Sequence, residues 1–173
     1  TGVLHRTDKD VVLLARKAEL TDEAEPSGFG RGLRLLARLR AYGSPTVSTS
    51  VIDSALQQSA WLLERAPNNA VSIVNVAERV ARRSTEVVIA TPSMDDPNLQ
   101  GLLDAYNEEV RPYTVLATVT PESAKKLTSF SAILGKEPGE GSARAFLCFE
   151  GVCHLPTSDV SEFKKQLLQK PGG

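Results

Sequence analysis

The sequence predicts an α+β chain in two parts: three packed helices, then a small domain of order β-α-β-α-β-β-α. Three observations carry that prediction. Through residues 1–84 apolar residues recur at helical spacing, in segments separated by Gly-Ser-Pro and Pro-Asn-Asn stops. Through residues 85–173 short apolar runs of strand length alternate with helical segments that begin at capping residues. The basic residues also change in kind, from ten Arg and two Lys in residues 1–84 to two Arg and six Lys, with twelve acids, in residues 85–173.

In the first part, the apolar run Val11-Val-Leu-Leu14 reads as a short strand. Gly28, Gly30 and Gly32 lead into a helix whose apolar face is Leu35, Leu36, Leu39 and Tyr42, stopped by Gly43-Ser44-Pro45. Thr49 or Ser50 caps a second helix with Ile52, Ala55, Leu56, Leu62 and Leu63 inward, ended by Pro67-Asn68-Asn69. Val71, Val74, Ala77 and Val80 define the inner face of a third.

In the second part, residues 86–90 form a buried strand, and Asp96 caps a helix with Pro97 at its first position and Leu99, Leu102, Leu103 and Tyr106 along it. Residues 114–119 are the next strand. Thr120-Pro121 opens a helix that runs through Leu127, Phe130 and Leu134 to a stop at Gly135, followed by a flexible loop over residues 136–141. A last helix, capped by Ser158 or Asp159, contains Val160, Phe163, Leu167 and Leu168.

Between them, two apolar runs flank Glu150-Gly151, a two-residue hairpin signal that sets Phe149 opposite Val152 and Cys148 opposite Cys153. Opposed strand residues lie about 4.5–5.5 Å apart, within the Cα range that a disulfide tolerates. The only two cysteines of the chain can therefore form one cross-strand bridge. The favoured reading is a pair of buried reduced thiols, because free Cys is among the most buried residue types and two cysteines make no secreted disulfide framework.

The hairpin also carries a resemblance. Cys148, Cys153, Pro156, Thr157 and Asp159, followed by a last helix, resemble the C-terminal end of the spermatogenesis-associated, thioredoxin-domain-containing protein family, in which a thioredoxin-like domain precedes a six-hairpin α/α barrel. Glu25-Pro26-Ser27-Gly28 is similar to that family's Pro-Ser-Gly-Asn-Ser segment inside the barrel, with Phe29 and Gly30 where the family has Asn and Ser. The resemblance implies that residues 1–84 are a helical remnant of the α/α barrel, and that this chain would be the tail of a much longer protein. The order in residues 85–173 looks like a degenerate thioredoxin-like domain, since residues 91–97, where a redox-active member needs Cys-x-x-Cys at a helix N-terminus, hold no cysteine.

Composition narrows the function. With 20 basic against 21 acidic residues there is no global field for nucleic acid, and no run approaches the roughly 20 apolar residues of a membrane span. Contact with a membrane complex would be peripheral. His5 and His154 are the only histidines, and a zinc site would need a further ligand beside Cys148 and Cys153, so no metal or cofactor is expected. Asp95 and Asp96 serve a cap, while Asp104 and Glu108 lie on a solvated helix face and make no glycosidase pair. Pro26-Ser27-Gly28 is a helix-entry turn or inherited cavity lining.

Arg31, Arg34 and Arg38 recur at helical spacing, joined by Arg40, with no acid from Arg31 to Tyr42, and this stripe reads as a protein-docking surface or a solvated face. Arg79, Arg82 and Arg83 form a smaller cluster. The expectation is a non-catalytic structural or accessory subunit. The alternative is a C-terminal fragment of a full-length family member whose carbohydrate-related or redox-related activity resides elsewhere. The missing initiator Met fits removal of a mitochondrial or other organellar transit peptide, with the cytoplasm as the other compartment.

Overall fold

A computed structural model of the protein describes residues 19–82, 84–138 and 141–169. The run Val11–Leu14, His5, Arg83 and the end of the 136–141 loop lie wholly or partly outside them. The fold is α+β: among the described residues there are six α-helices and one four-stranded mixed sheet. These residues divide into two compact units, residues 19–40 with 45–82 and residues 41–44 with 84–169.

The first unit contains α1 (Gly28–Ala41, its last residue counted with the second unit), α2 (Thr49–Arg65) and α3 (Val71–Arg82). Its core is Phe29, Leu33 and Ala37 from α1, Ile52, Ala55 and Leu62 from α2, and Ile73 and Val76 from α3. Burying each large aliphatic or aromatic side chain contributes about 1.5–3 kcal/mol. Two faces differ from the sequence expectation. On α1, Leu36 and Leu39 do pack against the core, but Leu35 is exposed and the face is centred on Leu33. On α3, Val71 and Val74 are exposed while Ile73 and Val76 are buried. Apolar residues at 71, 73, 74, 76, 77 and 80 offer two overlapping faces, and the neighbours of the helix choose between them.

Helix entries are set by side chains. Ser27 Oγ accepts from the Gly30 amide at 3.1 Å and its carbonyl receives the Arg31 amide at 2.9 Å, so Ser27 starts α1. Ser48, not Thr49 or Ser50, caps α2, its hydroxyl accepting from the Ser50 amide at 3.2 Å. Ala66 closes α2 and Pro67–Asn69 forms a 3-10 turn before α3.

The second unit follows the order β1 (Thr85–Ala90), α4 (Pro97–Asn107), β2 (Thr114–Val119), α5 (Pro121–Lys126), β3 (Arg144–Phe149), β4 (Val152–Cys153), α6 (Val160–Leu168). The strands lie in the order β2-β1-β3-β4, with β1 parallel to β2 and antiparallel to β3. Alternation along the strands divides the core. Val87, Ile89, Ala145 and Leu147 face Leu99 and Leu102 of α4 and Phe163 of α6, whereas Val88, Ala90, Phe146 and Cys148 face Ile133, Leu127 and Phe130. Tyr42, expected on the inner face of α1, lies beyond the helix and belongs to this second unit, its hydroxyl donating to the Leu116 carbonyl at 2.8 Å.

The caps of this unit are those read from the sequence: Asp96 accepts from the Asn98 amide at 2.8 Å, Thr120 forms a capping box with Ser123, and Asp159 accepts from the Glu162 amide at 2.8 Å. The helix opened by Thr120 is shorter than expected. It ends at Lys126, and residues 127–135 continue as successive turns, with Thr128 and Ser129 offering side-chain competition to a helical backbone. These turns still bring Leu127, Phe130 and Ile133 onto the sheet, while Leu134 is exposed.

Candidate functional site

The hairpin folds as its turn chemistry dictates. Glu150 and Gly151 both take positive φ, 51° and 81°, which is the two-residue turn whose twist matches paired strands. The register is Cys148 opposite Cys153 and Phe149 opposite Val152. The two sulfurs are joined by a disulfide with an S–S distance of 2.08 Å, so the favoured expectation of a buried thiol pair is replaced by the bridge. Burial is also unequal: Cys148 is 1% exposed and packs with Val88 and Phe146, whereas Cys153 is exposed on the two-residue strand β4. Both residues of the edge strand β4 are exposed, whereas Cys148 on β3 is covered by Leu127, Phe130 and Ile133, so only one cysteine is buried.

The same sheet face holds a partly buried ion pair. Glu86 is the β1 partner of Cys148, and its carboxylate lies 3.7 Å from the ammonium of Lys136, which also donates to the Ala132 carbonyl at 2.5 Å. Burial pushes the Lys136 pKa down, and the nearby Glu86 carboxylate opposes that shift only in part. Lys136 lines a cavity of about 490 Å³ with Val119, Ala124, Lys125, Leu127 and Ile133. The cavity is a largely apolar space with two lysines and Glu137 in its wall. Sequence reasoning passed over both charged residues, although Glu86 shares the period-2 face of Val88 and Ala90, a polar residue on an otherwise buried side.

The β1–α4 segment is a structural junction. Thr91 is fully buried and donates to the Ser93 carbonyl at 2.6 Å. Asp96 Oδ2 accepts from the Ala143 amide at 2.6 Å, and the Asn98 side-chain amide donates to the carbonyls of Ala143 and Ser158 at 3.1 and 2.9 Å. The side chains here tie α4 to the start of β3 and the entry of α6.

The other sequence candidates are dispersed. The arginine stripe is not wholly unpaired: Arg31 pairs with Glu25, brought back from the segment before α1, and Arg40 donates to the Thr49 hydroxyl. Arg34 and Arg38 are exposed, and no carboxylate pairs with them among the described residues. Arg82 pairs with Glu78 at 2.9 Å. Asp104 accepts from the Gln100 side chain at 2.6 Å and Glu108 pairs with Lys164, both on the surface. Pro26-Ser27-Gly28 is a helix entry, with Ser27 as its cap. Among the described residues no group of three or more metal-ligating side chains occurs, and no helix is long and apolar enough to cross a membrane.

Comparison with known protein families, curated proteins and solved structures finds no match to this chain.

Proposed function

We propose that the chain is a non-catalytic structural or accessory component of a larger protein assembly, descended from the C-terminal part of a protein with a thioredoxin-like domain and a six-hairpin barrel. In this reading the second unit is a thioredoxin-like domain without its cysteine pair. The sheet order β2-β1-β3-β4, with one parallel pair and a terminal antiparallel hairpin, supports it. So does a β1–α4 segment occupied by a cap network in place of thiols.

The observation that carries the accessory role is apolar exposure on the first unit. Leu35 on α1, Trp61 on α2 and Val71 on α3 are 59%, 55% and 50% exposed, although the unit has a core of its own. Helices of a complete toroid would cover such side chains, and large exposed apolar groups mark partner surfaces. Leu35 lies beside Arg34, with Arg38 one turn further along α1, so the partner that fits is a protein surface of mixed apolar and acidic character.

Trp61 is the only tryptophan, which makes its emission a direct reporter. In native material the chain should co-purify with a stoichiometric protein partner, with Trp61 emission blue-shifted relative to the free chain. Changing Arg31, Arg34 and Arg38 together to Glu should abolish that association and leave the circular dichroism of the free chain intact. A native chain that runs as a free monomer with the emission of an exposed indole would sink the reading.

A further inference from the structure

We propose that the Cys148–Cys153 bridge is a thiol–disulfide exchange site, opened by attack on the Cys153 sulfur, and that its co-reactant is a protein dithiol. The two ends of the bond are unlike. Cys148 is 1% exposed inside an apolar cluster, while Cys153 sits exposed on the outermost strand of the sheet. A thiolate must reach the sulfur it attacks along the S–S axis, and only the Cys153 end is open to it. Leu155, two residues beyond Cys153 and 86% exposed, offers apolar contact to a docking protein.

The fold holds without the bond. Four residues lie between the cysteines, so the bridge closes a short loop and constrains the unfolded chain less than a long one would. The Glu150-Gly151 turn already imposes the register. Strand β3 is paired with β1 at six positions, and beyond the hairpin Ala145 and Thr157 exchange two backbone hydrogen bonds at 2.8 and 3.1 Å that retain the returning segment. Reduced Cys148 would remain in place as a small apolar side chain. Both redox states therefore suit the same core, as an exchange site requires.

The chemistry balances in two steps. A thiolate of the dithiol attacks Cys153 Sγ; the Cys148–Cys153 bond breaks, a mixed disulfide forms, and Cys148 leaves as a thiolate that takes a proton from water. The second thiol of the partner, as its thiolate, attacks its own sulfur in the mixed disulfide, releases Cys153 as a thiolate and becomes the partner's disulfide. The chain gains two electrons and two protons, and the dithiol loses them. The exchange modifies the chain and needs no turnover.

The test uses the oxidised wild-type chain. The probe is a reduced thioredoxin-type protein whose second active-site cysteine is changed to Ser, so that the first step cannot be resolved. Under native conditions a covalent complex should form, and peptide mapping should place the join on Cys153 at least roughly tenfold more often than on Cys148. In parallel, dithiothreitol should open the bridge while far-UV circular dichroism stays native. A join on Cys148, or a bridge that neither reagent opens until the chain is unfolded, would overturn the proposal.

Discussion

The carboxylate of Asp22 grips Ser72 at two points, Oδ1 accepting from the Ser72 hydroxyl at 2.6 Å and Oδ2 from its backbone amide at 2.7 Å. Oδ1 also receives the Ser27 amide at 2.8 Å, so one side chain serves the entries of both α1 and α3. Partial burial raises the Asp22 pKa, but the hydrogen bonds from Ser27 and Ser72 together outweigh it and hold the carboxyl below its ordinary value.

The first prediction follows from that anchor. Asp22→Ala should destabilise the first unit by about 1–2 kcal/mol, the range for losing a helix cap. With a folded pKa below the unfolded one, the anchor contributes fully above about pH 4 and is lost as pH falls through the lowered value. Urea midpoints measured on both proteins should therefore differ at neutral pH and converge in acid. A difference that stays constant down through that window would refute the anchor.

Gly30 supplies a second prediction. A Cβ built there would lie 1.9 Å from Ser72 Oγ and 2.7 Å from Ser72 Cβ, so α1 and α3 approach at this point only because the side chain is missing. Gly30→Ala should lower stability by about 1–3 kcal/mol through overpacking, despite the better helix propensity of Ala. In a double-mutant cycle with Ser72→Gly, the coupling should offset part of that loss. An unchanged thermal midpoint for Gly30→Ala would show that the contact is not as close as described.

Lys136 provides the third. Its folded pKa is lowered by burial, so the folded chain releases a proton that the unfolded chain keeps until near 10.5. Stability should then rise as pH approaches that value, because the unfolded state binds more protons there. Lys136→Met should remove this rise, as read by urea midpoints across alkaline pH. A variant profile parallel to wild type would mean that the ammonium is already solvated.

How far the chain could be read without coordinates depends on the range of the interactions. The hairpin register was legible because Glu150-Gly151 demands a backbone twist that leaves one pairing, and the caps at Asp96, Thr120 and Asp159 were legible because each side chain satisfies amides two or three residues away. The α+β class followed from two periodicities, each a local property. Helix faces were less accessible. On α3, Val71 and Val74 match a helical stripe as well as Ile73 and Val76 do, and only packing against α1 and α2 buries the second pair.

The candidate sites divide along the same line. Sequence alone determined that Cys148 and Cys153 stand opposite each other, since one intervening pair, Phe149 with Val152, and a two-residue turn admit no other partner. Whether they form a bond, and which sulfur meets solvent, was decided by the tertiary structure, because β4 is an edge strand that leaves Cys153 uncovered while β1 and residues 127–133 close over Cys148. Arg31 looked unpaired along its helix until the fold returned Glu25 to it. The joins of Asp22 to Ser72 and of Lys136 to Glu86 link residues 50 positions apart in sequence. Such pairs have no local signature, since their energy arises only when separate segments are packed and desolvated together.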